Sequence, residues 1–398
     1  MWKRLIKQDK LFGAQNYKPL PVVIREGIGT KLIDVNGKYY YDFLSSYSSV
    51  NQGHCHRSLV KVMQEQCNKL TLCSRAFYNE NLCNFFKFMN EEFGYDKCLP
   101  MNTGVEASET AIKLARLWGY KSKGIQQNKA EIIVAKNNFW GRSIAACSSS
   151  TTPSCYENFG PYVPGFRFVD FNNLQQLEKK LKKHPNIAAF MVEPIQGEAG
   201  INVPGKTYLS KVKELCKKYN VLFICDEVQT GIGRTGKMLA SEDIKPDMVV
   251  LGKALSGGMM PVSCVLGNKE VMDLIEPGTH GSTYGGNSLG MALAPKAVQI
   301  IHEERLLKNT QYLGNQFRKE LLPLVKQGYL KDVRGVGLLN AIELHKPEDA
   351  EKLVFKFMKN GLLTRVTRNA VIRMCPPLIM NNFQMEHSLQ IIHDSITN

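Results

Sequence analysis

Between Val221 and Gly258 the chain reads VLFICDEVQTGIGRTGKMLASEDIKPDMVVLGKALSGG. Val221–Cys225 and Met248–Leu251 are short apolar runs bounded by turn-forming residues, so they read as buried strands. The first ends in Asp226-Glu227, and the second passes through Gly252 into Lys253 and a glycine-rich loop. Two parallel strands would put this carboxylate and amine at their C-terminal ends, where open α/β sheets hold ligands. Burial favours the neutral form of an amine, so Lys253 suits imine formation with a carbonyl. Asp226 suits retention of a proton on a ring nitrogen beside it. These two are the expected catalytic residues.

The surrounding pattern extends that sheet. Strand and helix signals alternate from about residue 100 to 270, which predicts a doubly wound, mainly parallel α/β sheet. In MNTGVEASETAIKLARLWGY, apolar spacing predicts a helix over 107–120 with Asn102-Thr103-Gly104 before it. Free N–H groups at such a helix start could hold a phosphate, although a plain N-cap explains the same residues. EIIVAKNNFWGRS ends a strand in two aromatics and Arg142. An aromatic there could cover a cofactor ring, and the arginine could grip a carboxylate. AAFMVEPIQGEAG is another buried strand, closing with Glu193 and Glu198. Before all of these, Val35-Asn36-Gly37-Lys38 predicts a hairpin turn. After them, short strands at Gly337–Leu344 and Ala370–Met374 suggest a smaller α+β unit.

Composition narrows the partners. The 398 residues carry 51 basic and 36 acidic side chains, a net charge of +15. The lysines are spread along helices, as in LEKKLKKH at 177–184, which reads as a solvated face, so no nucleic-acid partner is expected. No apolar run is long enough for a membrane span. The start MWKRLIK is basic but lacks the apolar core and cleavage site of a signal peptide and is short for a transit peptide. A cytoplasmic location is therefore expected. Eleven cysteines include no C-x-x-C pair, so neither a zinc ribbon nor a secreted disulfide framework is expected. Cys147 and Cys155 flank a polar segment and are read as unpaired thiols, with a reversible disulfide as the alternative. His54-Cys55-His56 lacks further ligands, and no metal is expected.

GIGRTG at 231–236 fits G-x-G-x-x-G, but it lies beyond the strand end and a poor helix interrupted by Pro246 follows it. A nicotinamide site is rejected on that ground.

FLSSYSSVNQGHCH, TLCSRAFY, MNTGVEASETA, NFWGR, FMVEPIQGEAG, DEVQTGIGRTGK, LGKALSGG and HGSTYGGN follow one another in the chain. In this order they resemble the class III aminotransferases of pyridoxal-phosphate fold type I, over nearly the whole length. The resemblance implies pyridoxal 5'-phosphate as cofactor. Lys253 would carry it and later move a proton, Asp226 would pair with the pyridine nitrogen, and Gln229 would sit near the phenolic oxygen. Phe139 would stack on the ring, while Gly104 and Val105 would give backbone N–H groups to the phosphate. Ser282 and Thr283 would reach the phosphate of a neighbouring subunit, which implies a homodimer with active sites at the interface.

Within the family the resemblance is strongest to the ornithine-using branch. It implies L-ornithine and 2-oxoglutarate as substrates. Arg142 would bind the distal carboxylate and Arg373 the carboxylate beside the keto group. Glu198 would pair with Arg373 while ornithine is bound. Tyr17 and Tyr47 would shape the ornithine end of the pocket. The expected division is an N-terminal segment of a small domain (1–50), a large cofactor-binding domain (51–288) and a C-terminal small domain (289–398). An acetylornithine or 4-aminobutyrate aminotransferase is the alternative, and a non-catalytic binding protein on the same fold is a distant one.

Overall fold

A computed structural model describes residues 2–397. After a helix, Trp2–Phe12, the chain builds an antiparallel meander from β1 (Ile24–Ile28), β2 (Lys31–Asp34) and β3 (Tyr39–Asp42). The β2–β3 reversal falls at the expected turn. Asp34 Oδ1 accepts the N–H groups of Asn36 and Lys38 at 2.8 and 3.0 Å. Gly37 takes a φ of 83° there, a conformation open to glycine without steric cost.

The central sheet has seven strands: β4 (Lys97–Met101), β5 (Glu131–Ala135), β6 (Phe166–Val169), β7 (Ile187–Val192), β8 (Leu222–Asp226), β9 (Met248–Leu251) and β10 (Ser263–Gly267). Their spatial order is β4-β10-β9-β8-β7-β5-β6. Strands β5 to β9 are mutually parallel, and only β10 runs against its neighbours. Every residue of β7, β8 and β9 is buried, which is why they read as unbroken apolar runs. Side chains alternate between two cores, as a two-residue period requires. Ile132 and Val134 join one cluster, Ile133 and Ala135 the other.

The helix Gly104–Lys121 covers the first face with Ala107, Ala111, Leu114, Ala115 and Trp118. The helices Leu174–Lys183 and Tyr208–Lys218 cover the second with Leu177, Leu181 and Val212. Burying each such large aliphatic side chain contributes roughly 1.5–3 kcal/mol. The doubly wound expectation is met, and Lys179, Lys182 and Lys183 of the lysine-rich helix are exposed.

The third sheet comes from the C-terminal part. It contains β11 (Asp332–Val336) and β12 (Leu339–Glu343). The chain then leaves it for β13 (Leu362–Leu363), which pairs parallel with β3, and returns as β14 (Val366–Arg368) and β15 (Val371–Met374). Residues far apart in sequence are thereby joined, and β15 brings Arg373 towards the central sheet.

Candidate active site

Asp226 is the last residue of β8, and Lys253 stands two residues beyond β9. Both line one cavity of about 220 Å³. Lys253 holds a φ of 45°, left-handed for a residue that is not glycine, and such backbone strain concentrates at functional sites. Behind it, a Cβ on Gly257 would lie 2.2 Å from Leu59 Cδ1, so this loop packs tightly on the protein body. Burial pushes the Asp226 carboxyl up to about 6, against the Val228 N–H bond and the charge of Lys253. It therefore stays largely ionised at neutral pH. Burial also lowers the Lys253 ammonium, opposed chiefly by Glu198. The result is an amine that gives up its proton readily, beside an acid able to accept one.

The walls come from two helix and strand ends. Thr103 caps the helix Gly104–Lys121 with a capping box: its Oγ1 accepts the Glu106 N–H at 3.4 Å, and Glu106 Oε2 accepts the Thr103 N–H at 2.6 Å. That arrangement leaves the first-turn N–H groups of Gly104 and Val105, both on the cavity, available to an anion. A Cβ on Gly104 would meet Val228 at 3.0 Å. Phe139 and Trp140 line the cavity at the end of β5. Arg142 is exposed nearby, its guanidinium 5.6 Å from the Phe139 ring centre.

A third group closes the site. Arg373 is fully buried and donates to Glu198 Oε1 at 2.5 Å and to Gln229 Oε1 at 2.7 Å. Gln229 Nε2 in turn reaches Glu198 at 3.4 Å. Thr367 Oγ1 bridges, accepting from Arg373 at 3.3 Å and donating to the Glu198 carbonyl at 3.2 Å. Burial would raise the Glu198 carboxyl, but Arg373 and Lys253 outweigh it and hold the group below the usual carboxylate range. Tyr47 lies 5.1 Å from the guanidinium carbon. Gln229 thus bonds to the arginine pair as well as lining the cavity.

Not every expected residue meets here. Tyr17 is 69% exposed, outside the cavity lining. Thr283 is exposed, and Ser282 Oγ accepts from Asn102 Nδ2 at 2.9 Å; neither lines this chain's own cavity. His54 and His56 pair with Asp42 and Glu304, each through Nε2 at 2.7 and 2.8 Å. Cys147 and Cys155 are buried free thiols.

Glu193, Gly141, Val228 and Thr230 line the cavity without having been assigned a role from the sequence. Glu193 carried the same signal as Asp226, a carboxylate at the end of an apolar strand. Its oxygens accept the Phe139 and Gly197 N–H groups at 3.0 and 3.1 Å. Burial first, then the charge of Asp226, push its carboxyl up to about 8.

Amine, acid, aromatic plate and helix start converge on one cavity. No described residue bonds the Lys253 amine, and only the Val228 N–H is donated to Asp226. These free groups fit pyridoxal phosphate, which needs a tether, a ring-nitrogen partner and an anion cradle.

Comparison with known proteins gives the same picture. Residues 12–396 match the family described as aminotransferase class III. An ornithine aminotransferase of Drosophila melanogaster, named mitochondrial, is 52% identical over 391 residues, covering 98% of this chain and 90% of the relative. The crystal structure of ornithine aminotransferase from Toxoplasma gondii superposes with a TM-score of 0.97 at 45% identity, covering 100% of this chain and 95% of that one. An acetylornithine aminotransferase from Elizabethkingia anophelis has a TM-score of 0.91 at 47% identity, with 99% and 98% covered.

One expectation is corrected. The cytoplasmic location read from the sequence is overturned, because nematode and rat relatives, like that of the fly, are named mitochondrial. The basic N-terminal stretch forms the helix Trp2–Phe12, with no buried residue.

Proposed function

The chain belongs to the class III aminotransferases, and we propose that it transfers the δ-amino group of L-ornithine to 2-oxoglutarate by a ping-pong route. The products are glutamate and glutamate 5-semialdehyde, which cyclises to pyrroline-5-carboxylate. The observation that carries this reading is the closed Arg373–Glu198–Gln229 triad beside Lys253. Arg373 is paired with a carboxylate, and removing the partner of a buried ion pair is costly, so the pair is kept whenever no carboxylate ligand is present. Glu198 is that partner while ornithine is bound. When 2-oxoglutarate enters, Glu198 turns away and the carboxylate beside the keto group takes its place. One pocket thus serves a diamino acid and a dicarboxylate in turn.

When bound, pyridoxal phosphate supplies the electron sink that transamination requires. Lys253 is its tether and, once freed, moves a proton at Nζ. Asp226 holds the ring-nitrogen proton at its free oxygen. The N–H groups of Gly104 and Val105 bind the phosphate, Phe139 covers one face, and Gln229 stands near the phenolic oxygen. Arg142 orients the distal carboxylate of either substrate. Tyr47 bounds the ornithine end.

A homodimer completes the site in this reading. Ser282 and Thr283 turn away from their own cavity and would serve the partner's phosphate. Exposed Phe77, Tyr78 and Tyr284, at 68%, 98% and 58%, lie in or beside the same family motifs and support an interface there. The division into 1–50, 51–288 and 289–398 has support from β13 lying against β3.

The structural likeness to an acetylornithine aminotransferase keeps that activity as the second reading. Single-turnover loss of the cofactor's visible absorbance separates the two. Ornithine is expected to bleach it fastest among ornithine, acetylornithine and 4-aminobutyrate. Bleaching by acetylornithine but not by ornithine would reject the assignment.

A further inference from the structure

The histidine motif and the turn bearing Tyr47 are joined by one carboxylate. Ser45, Ser46, Tyr47 and Ser48 have φ values of 49°, 46°, 59° and 71°. Four consecutive residues other than glycine thus occupy the left-handed region, which L-residues visit mainly one at a time. Such a path persists only where its surroundings over-determine it.

Asp42 supplies the main constraint. Its Oδ1 accepts the N–H groups of Leu44 and Ser45, both at 2.8 Å. Its Oδ2 accepts from His54 Nε2 at 2.7 Å, and the residue is 2% exposed. His54 is itself fixed. Gly29 and His54 exchange backbone hydrogen bonds at 3.0 and 2.8 Å. Gly27 passes so close that a Cβ there would lie 2.9 Å from His54 Cβ and Cγ. On the other side, Ser45 Oγ donates to the Cys375 carbonyl at 2.7 Å, two residues beyond Arg373. Both anchors act at Ser45, where the turn begins, and Tyr47 follows two residues on with its ring beside the Arg373 guanidinium.

We propose that Asp42, braced by His54, is a positioning residue for amine selection, holding the left-handed Ser45–Ser48 turn that sets Tyr47 at the ornithine end of the pocket. The proposal rests on the functional reading above. Asp42 thereby fixes the entry to the turn: Leu44 is still right-handed, at φ −108° and ψ −33°, and Ser45, the second residue held, is the first left-handed one. An ionised acceptor holds them more strongly than a neutral one. With that acceptor weakened, the turn relaxes towards ordinary backbone angles and Tyr47 leaves the guanidinium. The pocket then loses the shape that separates ornithine from 4-aminobutyrate, which lacks its α-amino group and presents a different outline to this wall.

The test uses the full-length, cofactor-loaded enzyme and the ratio of kcat/KM for ornithine to that for 4-aminobutyrate. Asp42→Asn and His54→Ala are expected to lower the ratio about tenfold, within the range a reshaped pocket gives. His54→Gln, whose amide can still donate to Asp42, is expected to restore the ratio to within about twofold of wild type. Tyr47→Ala is expected to lower it in the same direction. A loss of folded protein scales both substrates together and leaves the ratio unchanged. If Asp42→Asn does not fold, the two His54 variants decide. An unchanged ratio in the foldable Asp42 and His54 variants, with Tyr47→Ala lowering it, overturns the proposal. An unchanged ratio in Tyr47→Ala overturns it as well. A wild-type enzyme that converts neither amine refutes the functional reading, and the proposal with it.

Discussion

Arg234 and Arg373 are both sealed from solvent, but their partners differ in kind. Arg234 donates to the carbonyls of Leu338 and Pro376 at 3.0 and 2.6 Å and to Asn51 Oδ1 at 2.5 Å. These oxygens come from three distant segments, and two of them are main chain. Burial, with no ion pair to offset it, lowers this guanidinium to about 10. Arg373 instead holds three side chains, Glu198, Gln229 and Thr367, and Glu198 keeps 28% of its side chain exposed. A guanidinium tied to main-chain carbonyls moves only if the backbone moves. One tied to a partly exposed carboxylate can exchange that partner for a ligand. The first is a staple between sheets; the second is suited to a switch.

The largest test of this contrast is Arg373→Gln. It is expected to slow the 2-oxoglutarate half-reaction about 10³-fold, or about 4 kcal/mol, as for a lost buried charge pair. The ornithine half-reaction should change by less than about tenfold, because there the arginine has no ligand to bind. Stopped-flow measurement of each half-reaction decides; equal losses would remove the switch. Next comes Arg234→Met, which strands three buried acceptors and should destabilise the protein by about 3 kcal/mol. Denaturant unfolding measures it, while the ratio of the two half-reactions should stay within about twofold of wild type. A shifted ratio at wild-type stability would exchange the two roles.

Glu198→Gln sharpens the comparison at smaller cost. It leaves Arg373 without its counter-charge, so the ornithine half-reaction should slow about tenfold, or ~1.4 kcal/mol. The 2-oxoglutarate half-reaction should hold or improve. The smallest effect is expected of Thr367→Val, which removes one bridging hydroxyl and should alter either half-reaction by about threefold at most, as one neutral hydrogen bond allows. A larger loss there would mean that Thr367, rather than Glu198, sets the position of the arginine.

The sequence exposed the parts of the site that are local. Asp226 and Lys253 stand at the ends of apolar strands, and the Thr103–Glu106 capping box follows from residues three apart. Glu193 carried the same strand-end signal, but no motif reading gave it a task, because its partners Phe139 and Gly197 come from separate loops. Arg234 sits inside the GIGRTG pattern, which was set aside as a nicotinamide site. Nothing near it in sequence announces carbonyls more than a hundred residues away. The left-handed turn at Ser45–Ser48 was equally hidden, since serines and a tyrosine in a loop are compatible with many paths. Tyr17, assigned to the ornithine end through the resemblance, stands exposed outside the cavity lining.

By itself, then, the sequence determined the buried strands, the helix start at Thr103 and the place of an amine and an acid at strand ends. Each depends on periodicity or on neighbours within a turn or two. Tertiary structure alone decided which buried charges can move. That property depends on whether the oxygen facing each guanidinium belongs to the main chain or to a side chain that can still turn towards water.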